Sequence, residues 1–402
     1  MLGRELTLPH RQLAALPRTR TTIASAVLIV TLALGAAACS SDAGDAAPPD
    51  TTSPTESTDN MTPQRFDERG PYAVGVTTIS LGDRETEVYY PADPSTTDGK
   101  PTDSYRTADV FPETLRAFIP PAMDGMFDVG AVRDIAASTA GPFPLVVYSH
   151  GFGGYRQVAS FYLAHLASWG FVVASTDHSE RSIVALATGN LSGAASGKDL
   201  DDVALTIAAL ADESARKGGL LDGRVDTSRV GITGHSAGAQ TALRSSGSNA
   251  DIDAFISISG GLSLMGEAAP DIPAKPALII AGQEDQVVAA SKSAALYGAL
   301  GSPRYHVEIA NAGHNSFTDS CPVILERGGL ESLRPVLGRL VDLAQDGCTV
   351  GMVDPRLVQR VLNHYSTAFF LTHLGVRDEL ATLVADVSNV VNGAPLSALQ
   401  HG

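Results

Sequence analysis

Cysteine, tryptophan and positive charge are all scarce in this chain: three Cys, one Trp, and 28 Lys and Arg against 44 Asp and Glu in 402 residues. A formal charge of −16 argues against nucleic-acid binding, which draws on clustered cations to neutralise phosphate. Three cysteines cannot build a disulfide scaffold, so the fold has to rest on a hydrophobic core. At 44% hydrophobic residues the chain can bury a large one, as a single α/β domain or two smaller ones. The glycine-rich segment Gly151 to Gly154 is followed by no Lys-Ser or Lys-Thr, and no G-x-G-x-x-G frame appears, which disfavours nucleotide binding. No cofactor and no metal is expected.

The first 38 residues differ from the rest. Arg4, Arg11, Arg18 and Arg20 precede an apolar stretch from Ile23 to Ala38 that closes on Ala36-Ala37-Ala38-Cys39. This is the layout of a secretory signal, and at about 16 residues the stretch is short for a retained membrane anchor, the weaker reading. Small residues before Cys39 resemble a lipoprotein processing site, with Ala36 where Leu is usual, so lipidation of Cys39 is favoured over plain secretion. The expected destination is therefore export, with a membrane link through Cys39. Cleavage removes four Arg and one Glu and takes the charge from −16 to −19. Cys321 and Cys348 then remain as one even pair, either bridged or two buried thiols. A bridge closing about 27 residues would stabilise the fold by roughly 3 to 4 kcal/mol on a chain-entropy estimate.

Residues 39–68 are rich in Asp, Thr, Ser, Pro and Ala and predict a disordered tether, spanning roughly 30 Å as a coil, ahead of a catalytic domain over 69–402. Alternating apolar residues in Val74 to Leu81 and Thr86 to Tyr90, around Gly82-Asp83, predict a β-hairpin. Phe143 to Tyr148, Phe171 to Ser175, Val230 to Thr233, Ala254 to Ile258 and Ala277 to Ala281 read as strands buried on both faces. Helical stretches separate them. In residues 199–216, Leu200, Val203, Ala204, Ile207 and Leu210 recur at helical spacing. The alternation predicts an α/β fold with a mostly parallel central sheet flanked by helices. Residues 103–135 interrupt it with Phe111, Phe118, Met126 and Phe127 among prolines, as a lid or site wall or as an ordinary packed insertion; residues 316–350 could also fold over the site. Helices are expected near Pro355 to Leu374 and from Asp378 to Val391.

Gly234-His235-Ser236-Ala237-Gly238 reads G-x-S-x-G between the apolar run Val230 to Thr233 and a helix-prone stretch beginning at Ala239. The pattern alone is weak in a chain with 39 glycines; the strand before it and the helix after it give it force. Glycines on both sides allow a turn sharp enough to lift the Ser236 hydroxyl above a sheet. A serine hydroxyl is a poor nucleophile until a histidine takes its proton, and that histidine works best when an acid fixes its tautomer. The strand Pro276 to Ala281 runs into Gly282-Gln283-Glu284-Asp285, and Tyr305 to Ile309 runs into Asn311-Ala312-Gly313-His314. Asp285 and His314 thus follow Ser236 in the order nucleophile, acid, base, with Glu284 as the rival acid. The backbone N–H groups of Phe152, in Ser149-His150-Gly151-Phe152-Gly153-Gly154-Tyr155, and of Ala237 are the expected oxyanion donors. His150 and His178 follow strands and are read as hydrogen-bonded supports, and His235 is expected to point away.

These motifs, in this order, resemble the α/β-hydrolase superfamily from about Gly70 to Gly375. Val146 to Arg156, Leu166 to Ala174, Asp177-His178-Ser179-Glu180-Arg181-Ser182, Asn311 to Asp319 and Phe370 to Gly375 are similar to plasma-type platelet-activating-factor acetylhydrolases. In that family the acid follows the strand after the elbow, whereas here that strand ends Ser257-Ile258-Ser259-Gly260-Gly261, without a carboxylate. A later acid, with Gly70-Pro71-Tyr72 and Val88-Tyr89-Tyr90-Pro91, is more like bacterial cutinase-type polyester hydrolases, but their substrate-clamping tryptophan has no counterpart, since Trp169 lies at a helix end. Dienelactone hydrolases use cysteine where this chain has Ser236. The resemblances imply a serine carboxylic-ester hydrolase for short- or medium-chain acyl esters of small-molecule or lipid alcohols. Polyester cleavage, amide hydrolysis, acyl transfer and a non-catalytic surface lipoprotein are the rivals. Chain length of the substrate and oligomeric state are not legible.

Overall fold

Twelve strands form in the computed structural model, which describes residues 64–121, 124–191, 197–264, 270–387, 391, 393 and 395–402. They are β1 (Ala73–Leu81), β2 (Arg84–Ala92), β3 (Ser104–Arg106), β4 (Met126–Asp128), β5 (Val132–Arg133), β6 (Phe143–Ser149), β7 (Val172–Thr176), β8 (Val225–His235), β9 (Ile252–Ile258), β10 (Ala277–Gly282), β11 (Arg304–Ile309) and β12 (Leu396–His401). The signal segment, Cys39 and most of the tether lie outside the described residues. Ten strands make one sheet in the order β12-β11-β10-β9-β8-β6-β7-β2-β1-β5, and β3 and β4 pair separately. From β7 to β11 every pairing is parallel, while the β1–β2 hairpin and β12 add antiparallel edges.

Period-two side-chain alternation in the central strands feeds two cores. Val146 and Tyr148 of β6, Val173 of β7 and Ile256 of β9 face the helices Ser160–Ser168 and Pro355–His373. Leu145, Val147, Val172 and Phe255 face the opposite way, toward Lys198–Ala215, Ala237–Ser248 and Ala290–Ala299. Because both faces are covered, these strands are apolar throughout instead of alternating with polar residues.

Several boundaries differ from expectation. The folded unit begins before residue 69: Phe66 is fully buried against Trp169 with ring centroids 4.8 Å apart, and Asp67 is buried and paired with Arg360. A bulky aromatic and a paired carboxylate thus end the expected tether early. The helix predicted over Asp378 to Val391 is a short turn, Leu380–Leu383, with residues 388–390 outside the described residues. In Lys198–Ala215 Ala204 is exposed, while Asp202 and Thr206 are buried, because polar partners inside the fold claim that face. Strand β12 was not foreseen.

From β6 the chain passes to β7 on one side and then crosses back to β8 on the other, so the carboxyl ends of β6 and β8 lie together, with Ser149 in register with Gly234. In open parallel sheets such a switch point leaves a crevice.

Burial holds His150, His165 and His235 neutral, each pushed down to about 3. Unfolding exposes them to protonation near pH 6.5, so the unfolded state binds more protons and stability falls as pH drops through that value toward 3. At pH 5 each costs about 2 kcal/mol relative to neutrality. Asp202 and Asp319, raised by burial to about 6, oppose this, since they stay protonated in the fold where the unfolded chain ionises. His364 and His373, held down to about 4 by burial, add to the loss, so the net expectation is a lower melting temperature at pH 5 than at pH 7. Equal melting temperatures at the two pH values would contradict neutral burial of these histidines.

Candidate active site

Ser236 joins β8 to the helix Ala237–Ser248 with φ 58° and ψ −120°, a conformation an L side chain rarely takes. The flanking glycines explain how it is held. A Cβ on Gly238 would sit 1.9 Å from the Ser149 carbonyl oxygen, and one on Gly234 would sit 2.2 Å from the Gly238 carbonyl oxygen. Only bare backbone fits, so the helix start is drawn against the end of β6. The Ser236 N–H donates to Ile258 O at 2.9 Å, tying the turn to β9, and Ser236 itself is half-buried.

Asp285 and His314 come together. His314 Nδ1 lies 2.8 Å from Asp285 Oδ2, with both side chains buried. Asp285 Oδ1 accepts the N–H groups of Val287 and Val288 at 2.9 and 2.6 Å, so the carboxylate is fixed on both oxygens. This leaves His314 Nε2 as the nitrogen free to act as a base. Glu284 is exposed and makes no bond to His314 among those described.

A third carboxylate, which the sequence did not single out, holds both loops. Asp346 Oδ2 accepts Gln286 N–H and His314 N–H, each at 3.0 Å, and Asp346 O accepts Asn315 N–H at 2.9 Å. Two residues on, Cys348 is bridged to Cys321 in the helix Ser320–Glu326, so the expected disulfide is present. Gly313 and Gly347 are packed so closely that a Cβ on Gly313 would lie 2.5 Å from Gly347 Cα. A short polar residue beside a Gly-Cys pair, within reach of the histidine loop, is the only signal the sequence offered.

His235 does not point away. It is buried, its Nε2 donates to His314 O at 2.9 Å, and the two rings lie 4.6 Å apart. The residue beside Ser236 therefore holds the backbone of His314. The reason is geometric: β8 and the His314 loop both end at this crevice, and a buried imidazole meets the nearest carbonyl.

On the other side of Ser236, the loop after β6 presents Phe152, 45% exposed. Its neighbours are occupied, with Gly153 N–H donating to Arg181 O and Gly154 N–H to Gly151 O. Among the described residues no hydrogen bond engages Phe152 N–H, and Ala237 N–H, at a helix start, lacks an intrahelical acceptor. His150 and His178 lie beneath this loop. His178 N–H donates to His150 Nε2 at 2.9 Å, so His150 Nδ1–H faces Gly151 O at 2.8 Å. His178 Nδ1 meets Asp202 Oδ2 and its Nε2 meets Ser149 Oγ, both at 2.9 Å. Neither ring is exposed, so neither is a surface for substrate.

Residues 103–135 are partly core: Tyr105, Phe111 and Phe127 are buried, and Tyr105 Oη donates to Asp319 Oδ2 at 3.0 Å, whereas Phe118 and Met126 are exposed. Within 316–350, Leu340 and Leu343 are exposed, and Leu343 O accepts from Asn315 Nδ2 at 2.6 Å, beside His314. Among the described residues no group of three or more His, Cys, Asp or Glu could hold a metal ion, and no helix is long and apolar enough to cross a membrane.

Over residues 60–217 the chain is similar to the family described as platelet-activating factor acetylhydrolase, isoform II. A platelet-activating factor acetylhydrolase of Cavia porcellus is 23% identical over 353 residues, 76% of this chain and 77% of that one. Another, from Gallus gallus, is 23% identical over 390 residues, 81% of this chain and 88% of that one. A solved ferulic acid esterase from Streptomyces cinnamoneus superposes with a TM-score of 0.58 at 20% identity, covering 84% of this chain and all of that one. That likeness establishes an α/β-hydrolase fold.

Gly238→Ala is expected to give no soluble, correctly folded protein, since its methyl would overlap a carbonyl that anchors β6. Gly298→Ala, in the helix Ala290–Ala299 with nothing within 4 Å, should instead stabilise by about 0.5 to 1 kcal/mol. Parallel expression and thermal melts of the two variants check this contrast.

Proposed function

We propose that the chain is an exported serine carboxylic-ester hydrolase cleaving short- or medium-chain acyl esters, acetylhydrolase-like, through an acyl-enzyme on Ser236. The observation that carries this reading is the buried Asp285–His314 pair at the crevice where Ser236 is held in its strained turn. Similarity to acetylhydrolases along most of the chain supports ester cleavage over other acyl chemistry.

In this reading Ser236 Oγ attacks the acyl carbonyl while His314 Nε2 takes its proton. Asp285 accepts Nδ1–H, fixing the tautomer and stabilising the imidazolium that forms. The carbonyl oxygen becomes an oxyanion held by Phe152 N–H and Ala237 N–H, the alcohol leaves with the proton from His314, and water then releases the acyl group by the same route. Phe152, Val287 beside Asp285, and Leu343 near Asn315 expose apolar surface around these residues, which suits an acyl chain. The negative net charge works against anionic substrates at long range. In the same reading Cys39 carries lipid after signal cleavage and holds the domain at a membrane, and the Cys321–Cys348 bridge suits an oxidising compartment.

Across p-nitrophenyl esters from acetate to palmitate, turnover should peak at short chains and be lost by at least about 10³-fold in Ser236→Ala. Equal activity in a clean Ser236→Ala preparation would refute the assignment. Release of product to added amine or alcohol acceptors, in place of water, would mark a transferase.

Cys39→Ser should shift the expressed protein from the detergent phase to the aqueous phase in a cloud-point partition. Identical partition of the wild type and the variant would sink the lipid anchor.

A further inference from the structure

The geometry points to Arg181 as the positioning residue that sets the spacing of the two oxyanion donors, an inference that rests on the serine-hydrolase reading above. Arg181 is buried, at 5% exposure, and has no part in the proton transfers. Burying a guanidinium costs several kcal/mol unless its donors are matched, so its acceptors show what it is held for.

They divide between the two chain segments that carry the donors. Nη2 donates to Ser149 Oγ at 2.8 Å and to His150 O at 3.0 Å, at the root of the loop bearing Phe152. Nη1 donates to Thr241 Oγ1 at 3.0 Å and to Asp199 Oδ2 at 2.8 Å. Thr241 belongs to the helix that starts at Ala237, and its Oγ1 lies 3.2 Å from Ala237 O and 2.5 Å from Asp199 Oδ2. The main chain of Arg181 grips the loop a second time, its carbonyl accepting Gly153 N–H at 2.7 Å.

Phe152 N–H and Ala237 N–H are therefore spaced by one rigid planar fork, with Nη1 on the helix side and Nη2 on the loop side. Lysine offers one point of charge and cannot span both sides. The Ser149 hydroxyl accepts from Nη2 and passes its own proton toward His178 Nε2, whose Nδ1–H is taken by Asp202. This extends the brace into the helix Lys198–Ala215 and explains why that helix buries Asp202.

The test separates oxyanion stabilisation from general loss of structure. A thionoester replaces the carbonyl oxygen with sulfur, a poor acceptor, so the rate ratio between p-nitrophenyl acetate and its thiono counterpart reads the donor spacing. In Arg181→Met, kcat for the acetate should fall about 10²-fold with KM within about two-fold, and the ester-to-thionoester ratio should shrink by a similar factor. Arg181→Lys should recover part of that ratio. A purely structural role would lower both substrates alike and leave the ratio at its wild-type value, which overturns the inference. Should Arg181→Met be insoluble, Thr241→Val, which removes one acceptor and keeps the volume, carries the same test: a ratio lowered several-fold supports the brace, and an unchanged ratio overturns it. Wild-type protein without ester turnover would strike the serine-hydrolase reading itself, whereas wild-type turnover with unaltered ratios in the variants strikes Arg181 alone.

Discussion

The contact on which this site depends is the approach of the Gly238 backbone to the Ser149 carbonyl, so close that a single added carbon would lie 1.9 Å from the oxygen. It joins the end of β6 to the start of the helix after β8. That junction fixes the strained φ of Ser236, brings Ala237 N–H beside the loop that carries Phe152, and closes the sheet at its switch point. Strain of this kind costs of order 1 to 3 kcal/mol and persists only where the surroundings leave no alternative. Here the surroundings are the Ser236 N–H bond to Ile258, the paired ends of β6 and β8, and two glycines that cannot be larger.

Two polar braces flank this junction and divide the work. Asp346, backed by the Cys321–Cys348 bridge, ties the Asp285 loop to the His314 loop through amides on a single oxygen. Arg181, backed by His178 and Asp202, ties the β6 loop to the elbow helix. Apolar packing against the sheet positions elements to within a side chain's tolerance, but the proposed chemistry needs amides and rings placed to a fraction of an ångström. Directional bonds supply that precision: Asp346 ends on main-chain amides, and Arg181 ends on the His150 carbonyl on the loop side and on the Thr241 hydroxyl on the helix side.

The sheet is legible because strands buried on both faces are written as uninterrupted apolar runs: each of the five runs falls on a strand, four of them to within two residues at both ends, while β8 starts five residues before its run, at Val225. The positions of Ser236, Asp285 and His314, whose catalytic roles are proposed, are legible because each follows a strand, in chain order, with a loop that the local residues announce. What escaped was polar and long-range. Asp346 meets its partners 32 and 60 residues away, and locally only the adjacent Gly347-Cys348 marks it. Ala204 falls on the apolar stripe of the sequence pattern but is exposed, while Asp202 and Thr206 take the inner face, since hydrophobicity cannot reveal a carboxylate whose burial is offset by His178 and Arg84. The direction of His235 is not legible, because the side-chain direction at an elbow depends on which loop closes over it. The start of the folded unit lies before the expected boundary because one buried Phe and one paired Asp weigh little in a composition average.

The place of Asp285, the proposed acid, follows from packing. At the end of β9, Ser259 takes φ 48° and its side chain is buried, and a Cβ on Gly260 would lie 2.3 Å from Ser257 Oγ and 2.6 Å from the Ala239 side chain. That corner is filled by the elbow helix, so a carboxylate there would have to displace the helix that presents Ser236. One strand further out, β10 ends in a turn whose amides, those of Val287 and Val288, already converge on one point. A carboxylate at Asp285 finds two donors and the imidazole together, and its burial is compensated on both oxygens. Placing the proposed acid one strand outward therefore leaves the elbow its tight packing and gives His314 a partner whose position is set by main chain, which is why the change in sequence pattern leaves the proposed order of nucleophile, acid and base intact.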